Sequence, residues 1–170
     1  MVIFGLPVGQ GILALSPIPG AEGEYAGDVQ HLIDWKPAIV MSLVTERELV
    51  TAGAAGLWQS LVEHGTRWEH LPINDFGVPD DAFDEAWPDV SATARRALTG
   101  GGRVLVHCRG GCGRSGMVAL RLMIEMGEPP DDALARLRAV RPCAVETDEQ
   151  MRWAFEAKRA PAVFLRHEGD

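Results

Sequence analysis

A cysteine and an arginine enclose a glycine-rich loop in the second half of the 170-residue chain. Cys108 opens the loop, Arg114 closes it six positions later, and Gly110, Gly111 and Gly113 lie between them. Apolar residues before the loop predict a buried strand, and those after it predict a buried helix. A strand, a glycine loop and a helix start in this order direct backbone N–H groups and the positive end of the helix dipole into one concavity. The spacing predicts an anion-binding cup with a nucleophile on one rim and a cation on the other.

The chemistry predicted for this cup is covalent attack on a phosphoryl group. Cysteine attacks as its thiolate, which a helix N-terminus and a nearby cation both favour. The planar fork of Arg114 can hold two phosphoryl oxygens at once, so we expect a phosphocysteine on Cys108 and a clamp that persists into the transition state. Ser115 is expected to donate to the sulfur as it leaves, and His107 to orient the loop rather than act as a base. The alternative is a buried structural cysteine followed by a generic phosphate-binding loop.

A leaving oxygen also needs a proton, and two aspartates compete for the role of general acid. Asp75 lies 33 positions before Cys108 in a loop that follows a predicted strand, where α/β sheets place their ligand groups. Asp89 lies only 19 positions before it, in an apolar-periodic stretch that predicts a helix with a break at Pro88. We favour Asp75, which would then act as base for the attacking water. Asp80 and Asp81 are expected in the first turn of that helix.

Strands alternate with helices along the chain, which predicts a three-layer α/β fold. Its centre is a mostly parallel twisted sheet of about four or five strands with helices on both faces. We expect a single domain over residues 1–170 with its core at about 10–158. Strands are predicted at 12–15, 38–44, 68–73 and 104–106, and helices at 25–35, 45–64, 80–98, 117–124, 131–140 and 147–158.

Composition limits the partners of the chain. A net charge of −8 argues against nucleic acid and against an anionic membrane surface. No stretch is apolar enough to span a bilayer, and the glycines and prolines of residues 1–15 predict loop and strand rather than a signal peptide. Three cysteines without framework spacing predict reduced thiols and a cytoplasmic location. We expect a monomer without cofactor, and without metal because no metal-ligand spacing is present.

The motif His107-Cys108, five residues, then Arg114-Ser115 resembles the signature of the cysteine-dependent protein phosphatases, the tyrosine and dual-specificity enzymes. The resemblance covers roughly residues 10–158. Within the superfamily the chain is similar to the cyclin-dependent-kinase-associated phosphatase type. The segments that carry this likeness are the Gly-Leu-Pro opening, residues 42–49, the loop 72–79 around Asp75, and residues 145–147 with Gln150.

This resemblance implies the compact phosphatase fold and hydrolysis of phosphotyrosine on protein substrates, with phosphoserine and phosphothreonine left open. It also implies that Asp75 lies in the acid loop of the smaller dual-specificity enzymes. An alternative substrate class is phosphoinositides or other small phosphate esters. A third alternative is a phosphate-binding module without catalysis, although the cysteine, the arginine and the acid are all in place.

Several residues around the cup keep two interpretations. Arg109 either faces solvent or favours multiply charged substrates such as phosphoinositides or acidic phosphopeptides. Cys112 is either a small residue in a tight turn, which we favour, or a resolving thiol for oxidised Cys108. Gln150 has capping-box spacing from Thr147 and also resembles a residue near the phosphate in the family. The chain carries Glu146 where family members often have Gln or another polar residue.

Overall fold

The computed structural model describes residues 1–158, which form one five-stranded sheet with helices packed against it. Residues 159–170, which the predicted domain includes, lie outside this part. The strands are β1 (Phe4–Val8), β2 (Gly11–Ser16), β3 (Ile39–Ser42), β4 (Arg67–His70) and β5 (Arg103–His107). The helices are α1 (Tyr25–Asp34), α2 (Glu46–Thr51), α3 (Leu57–Glu63), α4 (Asp81–Thr99), α5 (Gly113–Glu125), α6 (Pro130–Val140) and α7 (Asp148–Phe155).

The sheet order β1-β2-β5-β3-β4 places the strand before the cysteine at the centre. β5 runs parallel to both β2 and β3, and β3 runs parallel to β4. In this register His107 lies opposite Ser16 of β2 and Ser42 of β3, so three carboxyl ends meet at one edge. Ligand groups in open α/β sheets gather at such an edge. The predicted α/β fold with a mostly parallel sheet is confirmed.

Burial shows that both faces of the sheet are covered. Successive residues of a strand point to opposite faces, and all four residues of β3 are buried, as are residues 104–107 of β5. Helix α5 is almost wholly buried against the sheet, whereas α4 buries only one stripe. Both ends of the strand–loop–helix unit that carries the cysteine are therefore fixed by the core.

Three elements differ from the sequence prediction. An edge strand, β1, pairs antiparallel with β2; the sequence predicts loop and strand over residues 1–15 but locates a strand only at 12–15. Pro7 is tolerated because it lies on an edge strand. The helix predicted over 45–64 is two helices, since α2 ends at Thr51 and α3 begins at Leu57, and Gly53 between them has a φ of +71°. The break predicted at Pro88 is absent, because α4 buries residues on both sides of it, including Phe83, Trp87 and Val90.

Candidate active site

The loop that follows β5 is held tightly against the end of β2. Gly111 has a φ of +73°, and a Cβ there would lie 2.7–2.9 Å from backbone atoms of Ser16 and Pro17. The backbone N–H of Ile18 donates to the carbonyl of Arg109 at 3.1 Å. Only glycine combines this conformation with this approach. Residues 108–113, called the cup loop below, thus curve from the end of β5 to the N-terminus of α5.

Cys108 lies at the start of the cup loop, with 3% of the residue exposed. Its Sγ atom is 3.2 Å from the Oγ atom of Ser115, in the first turn of α5. This is the contact that the predicted role of Ser115 requires, because a hydroxyl can donate to a thiolate.

Arg114 is almost fully buried and is held by four oxygens. Its Nη1 and Nη2 atoms donate to Oε2 and Oε1 of Glu48, both at 2.8 Å, and Nη1 also donates to the carbonyl of Ile73 at 2.9 Å. Nη2 lies 3.3 Å from Oδ1 of Asp75. Burial alone would lower the pKa of Arg114, but the hydrogen bonds it donates to Glu48 and the charges of Cys108, Glu48 and Asp75 raise the pKa above its ordinary value. The guanidinium is therefore a fixed cation at the edge of the cup.

Glu48 reaches Arg114 because it is the third residue of α2 in a complete capping box. The Glu48 backbone N–H donates to Oγ1 of Thr45, and the Thr45 backbone N–H donates to Oε2 of Glu48 at 2.8 Å. Burial raises the pKa of Glu48, but the Arg114 and Thr45 hydrogen bonds outweigh it and lower the pKa to about 2. Sequence reasoning assigned no role to Glu48; the only signal was the spacing of Thr45 and Glu48.

The two candidate acids have different positions. Asp75 has a side chain that is 43% exposed, and its carboxylate lies between two arginines, 3.3 Å from Arg114 Nη2 and 3.9 Å from Arg109 Nη1. Asp89 is an exposed residue in the middle of α4. Asp80 caps α4 by accepting from Phe83 N at 2.9 Å, and Asp81 begins that helix. The structure brings Asp75 to Arg114, and no contact of this kind involves the other three within residues 1–158.

His107 belongs to a chain of buried hydrogen bonds behind the cup loop. Its Nδ1 lies 3.2 Å from the carbonyl of Cys108, and its Nε2 lies 2.5 Å from Oγ of Ser42, which accepts from Trp68 Nε1 at 2.8 Å. A carbonyl only accepts, so we assign the proton to Nδ1 and the donor role toward Nε2 to Ser42. Burial lowers the pKa of His107 to about 4, so the imidazole is neutral at pH 7.

Gln150 joins the start of α7 to the loop that carries Asp75. It completes a capping box with Thr147, as its spacing predicts, and its Oε1 also accepts from Glu146 N at 2.9 Å. Its Nε2 donates to the carbonyl of Gly77 at 3.1 Å. The side chain of Glu146 lies over the cup loop, since a Cβ on Gly113 would be 2.3 Å from Glu146 Oε1.

Comparison with known proteins identifies the family of this site. A family model described as PTP-SAK, Swiss Army Knife protein, DSP-PTPase phosphatase domain, matches residues 21–154. The chain belongs to this family. It is a phosphatase of the tyrosine and dual-specificity type, as the resemblance of residues 107–115 predicts.

Individual relatives of this phosphatase agree with the assignment. Cyclin-dependent kinase inhibitor 3 of Rattus norvegicus is 30% identical over 129 residues, which are 74% of this chain but only 59% of that protein. The crystal structure of kinase associated phosphatase (KAP), with its catalytic-site cysteine changed to serine, has a TM-score of 0.80 at 24% identity and covers 92% of this chain and 93% of that one. The crystal structure of PTPMT1 in complex with PI(5)P has a TM-score of 0.70 at 18% identity and covers 90% of this chain and 93% of that one.

The pairing of Cys112 corrects both interpretations from the sequence and the prediction of reduced thiols. Cys112 is bonded to Cys143, in the segment between α6 and α7, and Cys108 is the free cysteine. Cys112 is therefore neither an unbonded small residue in a turn nor available to pair with Cys108. The two bonded residues are 31 positions apart, and their Cα atoms come to 5.2 Å because the α6–α7 segment lies against the phosphatase's cup loop.

A groove of about 440 Å³ adjoins the cup on the side of α2. Its lining includes Arg47, Glu48 and Arg109, and the Arg109 side chain is 71% exposed. The prediction that Arg109 faces solvent agrees with this exposure. No group of His, Cys, Asp or Glu in the described part of this phosphatase is arranged to hold a metal ion. None of its described helices is long and apolar enough to cross a bilayer.

Proposed function

We propose that this chain hydrolyses phosphotyrosine on protein substrates through a phosphocysteine on Cys108. The observation that supports this most is the fixed guanidinium of Arg114, 3.3 Å from Asp75 and six residues after the free cysteine. Those three groups are the nucleophile, the clamp and the acid that phosphoryl transfer to sulfur requires.

In the first step the Cys108 thiolate attacks phosphorus, and the bond from phosphorus to the substrate oxygen breaks. The carboxyl of Asp75 gives its proton to the departing oxygen, so the product leaves as a neutral phenol or alcohol. Arg114 donates hydrogen bonds to two equatorial oxygens of the phosphoryl group, and backbone N–H groups of the cup loop donate to the third. Glu48 and Ile73 occupy both N–H bonds of Nη1, and Glu48 also takes one N–H bond of Nη2. Nε and the second N–H bond of Nη2, on the atom that lies 3.3 Å from Asp75, are left to contact the phosphoryl group.

In the second step the Asp75 carboxylate takes a proton from water, and the resulting hydroxide attacks phosphorus as the phosphorus–sulfur bond breaks. The sulfur leaves as a thiolate, which the Ser115 hydroxyl stabilises from 3.2 Å. The products are inorganic phosphate and the starting thiolate, with the proton back on Asp75. His107 and Gln150 act as positioning residues, one behind the cup loop and one behind the Asp75 loop.

A protein substrate fits the open side of this site. Asp75 is partly exposed, and the next residue, Phe76, is 63% exposed with a φ of +58°. An apolar ring held beside the acid favours the ring of a phosphotyrosine over a small soluble ester. The name of the relative, cyclin-dependent kinase inhibitor 3, also agrees with action on a protein.

Hydrolysis of para-nitrophenyl phosphate tests this proposal. Cys108→Ser is expected to lose detectable turnover, and equal rates in the variant and the parent would refute the assignment of the nucleophile. Asp75→Ala is expected to lose most turnover on phosphotyrosine peptides while it keeps substrate binding. Asp89→Ala is the matched control because it removes an exposed aspartate from α4, and we expect it to be silent. A crippled Asp89→Ala enzyme would show that Asp75 is the wrong acid.

The groove beside the cup supports a second candidate, hydrolysis of a phosphoinositide. Arg47 and Arg109 both line it and would accept a second phosphate or a membrane headgroup. PTPMT1, which shares the fold, has been solved with PI(5)P. Turnover on a phosphotyrosine peptide and on PI(5)P in vesicles separates the two candidates. If Arg47→Ala lowers turnover on the lipid but leaves turnover on the peptide unchanged, the lipid is the better substrate class.

A further inference from the structure

The cup loop is fastened to the α6–α7 segment by a covalent bond and by hydrogen bonds. Cys112 is bonded to Cys143, and the Arg141 side chain donates to the carbonyls of Gly111 at 3.1 Å and Gly110 at 2.9 Å. These contacts fall on three consecutive residues of the loop. None of these contacts involves Cys108, so they fix the shape of the loop without touching the nucleophile.

The α6–α7 segment is itself fixed by hydrogen bonds from α6. Arg138 donates to the carbonyls of Ala144 at 2.9 Å and Val145 at 3.0 Å, and Val145 has a φ of +67° although it is β-branched. A β-branched residue adopts that conformation only where its surroundings impose it. The segment also lies close to α5, since a Cβ on Gly116 would be 2.6 Å from Val145 N. The disulfide thus joins the glycine-rich cup loop to a fixed support.

The disulfide is more exposed to solvent than the thiol of Cys108. Cys143 is exposed and Cys112 is half-buried, whereas Cys108 is 3% exposed. Access to the sulfur under attack is one of the determinants of the rate of thiol–disulfide exchange. The exposure of Cys143 therefore leaves this bond open to reversible reduction.

We propose that the Cys112–Cys143 disulfide is a redox-modification site that sets the phosphate affinity of the cup, an inference that rests on the proposed function. A protein dithiol of the thioredoxin class attacks one sulfur of the bond, forms a mixed disulfide and then closes its own disulfide. Its two electrons reduce the bond, and Cys112 and Cys143 each end as a thiol. The oxidised form keeps the cup loop in its anion-binding shape. The reduced form loses the covalent link to the α6–α7 segment and keeps the hydrogen bonds, those from Arg141 and the one from Val145 N to the carbonyl of Cys112. Its loop therefore samples other shapes and binds phosphate more weakly.

The test uses a Cys108→Ser variant of the full chain, because oxidation of Cys108 would otherwise obscure the effect of a reductant. Inorganic phosphate is titrated by calorimetry before and after reduction, and free thiols are counted in each state. Reduction is expected to raise the phosphate Kd roughly tenfold. The matched control, Cys108→Ser/Cys143→Ser, is expected to bind as the reduced form does and to ignore the reductant.

Each other outcome has a separate meaning. Equal phosphate affinity before and after a reduction that releases both thiols overturns the inference and leaves the proposed function intact. No phosphate binding in either state counts against the proposed function itself. Hydrogen exchange distinguishes local loosening of the loop from loss of global stability alone, because protected amides of α4 report the global stability. On reduction, amides of residues 109–113 should accelerate by a larger factor than those of α4. No acceleration of the loop beyond that of α4 would show that the bond contributes only to global stability, and would also overturn the inference.

Discussion

Replacing Glu48 by glutamine removes the charge that holds Arg114 in place. Glutamine keeps the length of the side chain and can still complete the capping box with Thr45. Burial alone would raise the pKa of this carboxyl, but its hydrogen bonds to Arg114 and Thr45 outweigh burial and lower the pKa from 4.5 to about 2. A lowering of this size corresponds to about 3 kcal/mol. The Glu48 side chain is 19% exposed, so solvent screens part of this, and we expect a loss of about 2 kcal/mol at pH 7.

The pH dependence of this loss identifies its origin. A carboxylate with a lowered folded-state pKa stabilises the protein above its unfolded value of 4.5, and the stabilisation disappears as the pH falls toward about 2. Urea unfolding of wild type and Glu48→Gln should therefore differ by a constant amount above pH 5.5 and converge below it. Glu46→Gln is the matched control, because Glu46 lies in the same helical turn but is exposed.

Catalysis gives an independent measure of the same ion pair. A clamp that has lost its support is misplaced in the transition state, so kcat/KM of Glu48→Gln should fall roughly 100-fold on para-nitrophenyl phosphate. Glu46→Gln should retain wild-type kcat/KM. The reasoning is refuted if Glu48→Gln matches that control in kcat/KM and keeps a stability difference that does not change with pH.

Three other results are expected. Cys143→Ser opens a covalent loop of 31 residues, so chain entropy predicts that the free energy of unfolding falls by about 3.7 kcal/mol. In thermal scans without reductant this corresponds to a fall in Tm of roughly 7–15 °C. An unchanged Tm would contradict the prediction. Burial lowers the pKa of His107 from 6.5 to about 4. The stability that the neutral imidazole contributes is therefore full above pH 6.5 and falls on acidification, by about 2 kcal/mol between pH 7 and 5. His107→Gln should flatten this dependence of stability on pH. Phe76→Ala should raise KM for a phosphotyrosine peptide several-fold but leave KM for alkyl phosphate esters, which have no ring, unchanged. Parallel changes in both values of KM would argue against a ring contact.

The cup loop could be predicted from the sequence because its signals are local. The strand, the glycines and the helix that form it lie in about twenty consecutive residues, and each has a pattern that dictates its own conformation. The same holds for the capping box of Thr147 and Gln150, whose two residues are three positions apart. The placement of Asp75 follows from a rule about strand ends rather than from local pattern, and its role as the acid stays a prediction.

Contacts between distant segments could not be predicted, because they depend on strand register and helix packing. Glu48 and Arg114 are 66 positions apart and meet only because α2 follows β3, the neighbour of β5 in the sheet. Cys112 and Cys143 likewise meet through the packing of the α6–α7 segment, and three cysteines permit more than one pairing. The unbroken α4 shows tertiary burial overriding a local proline signal.

The covalent intermediate on Cys108 is the central claim, and trapping it is the most direct test. In Asp75→Ala the attacking water lacks its base, while para-nitrophenolate leaves without a proton, so the phosphoenzyme should accumulate. Intact-mass measurement after rapid denaturation should find one added phosphoryl group, and fragmentation should locate it on the sulfur of Cys108. A phosphoryl group on any other residue, or turnover with no phosphoenzyme and an unchanged rate in Cys108→Ser, would contradict the mechanism.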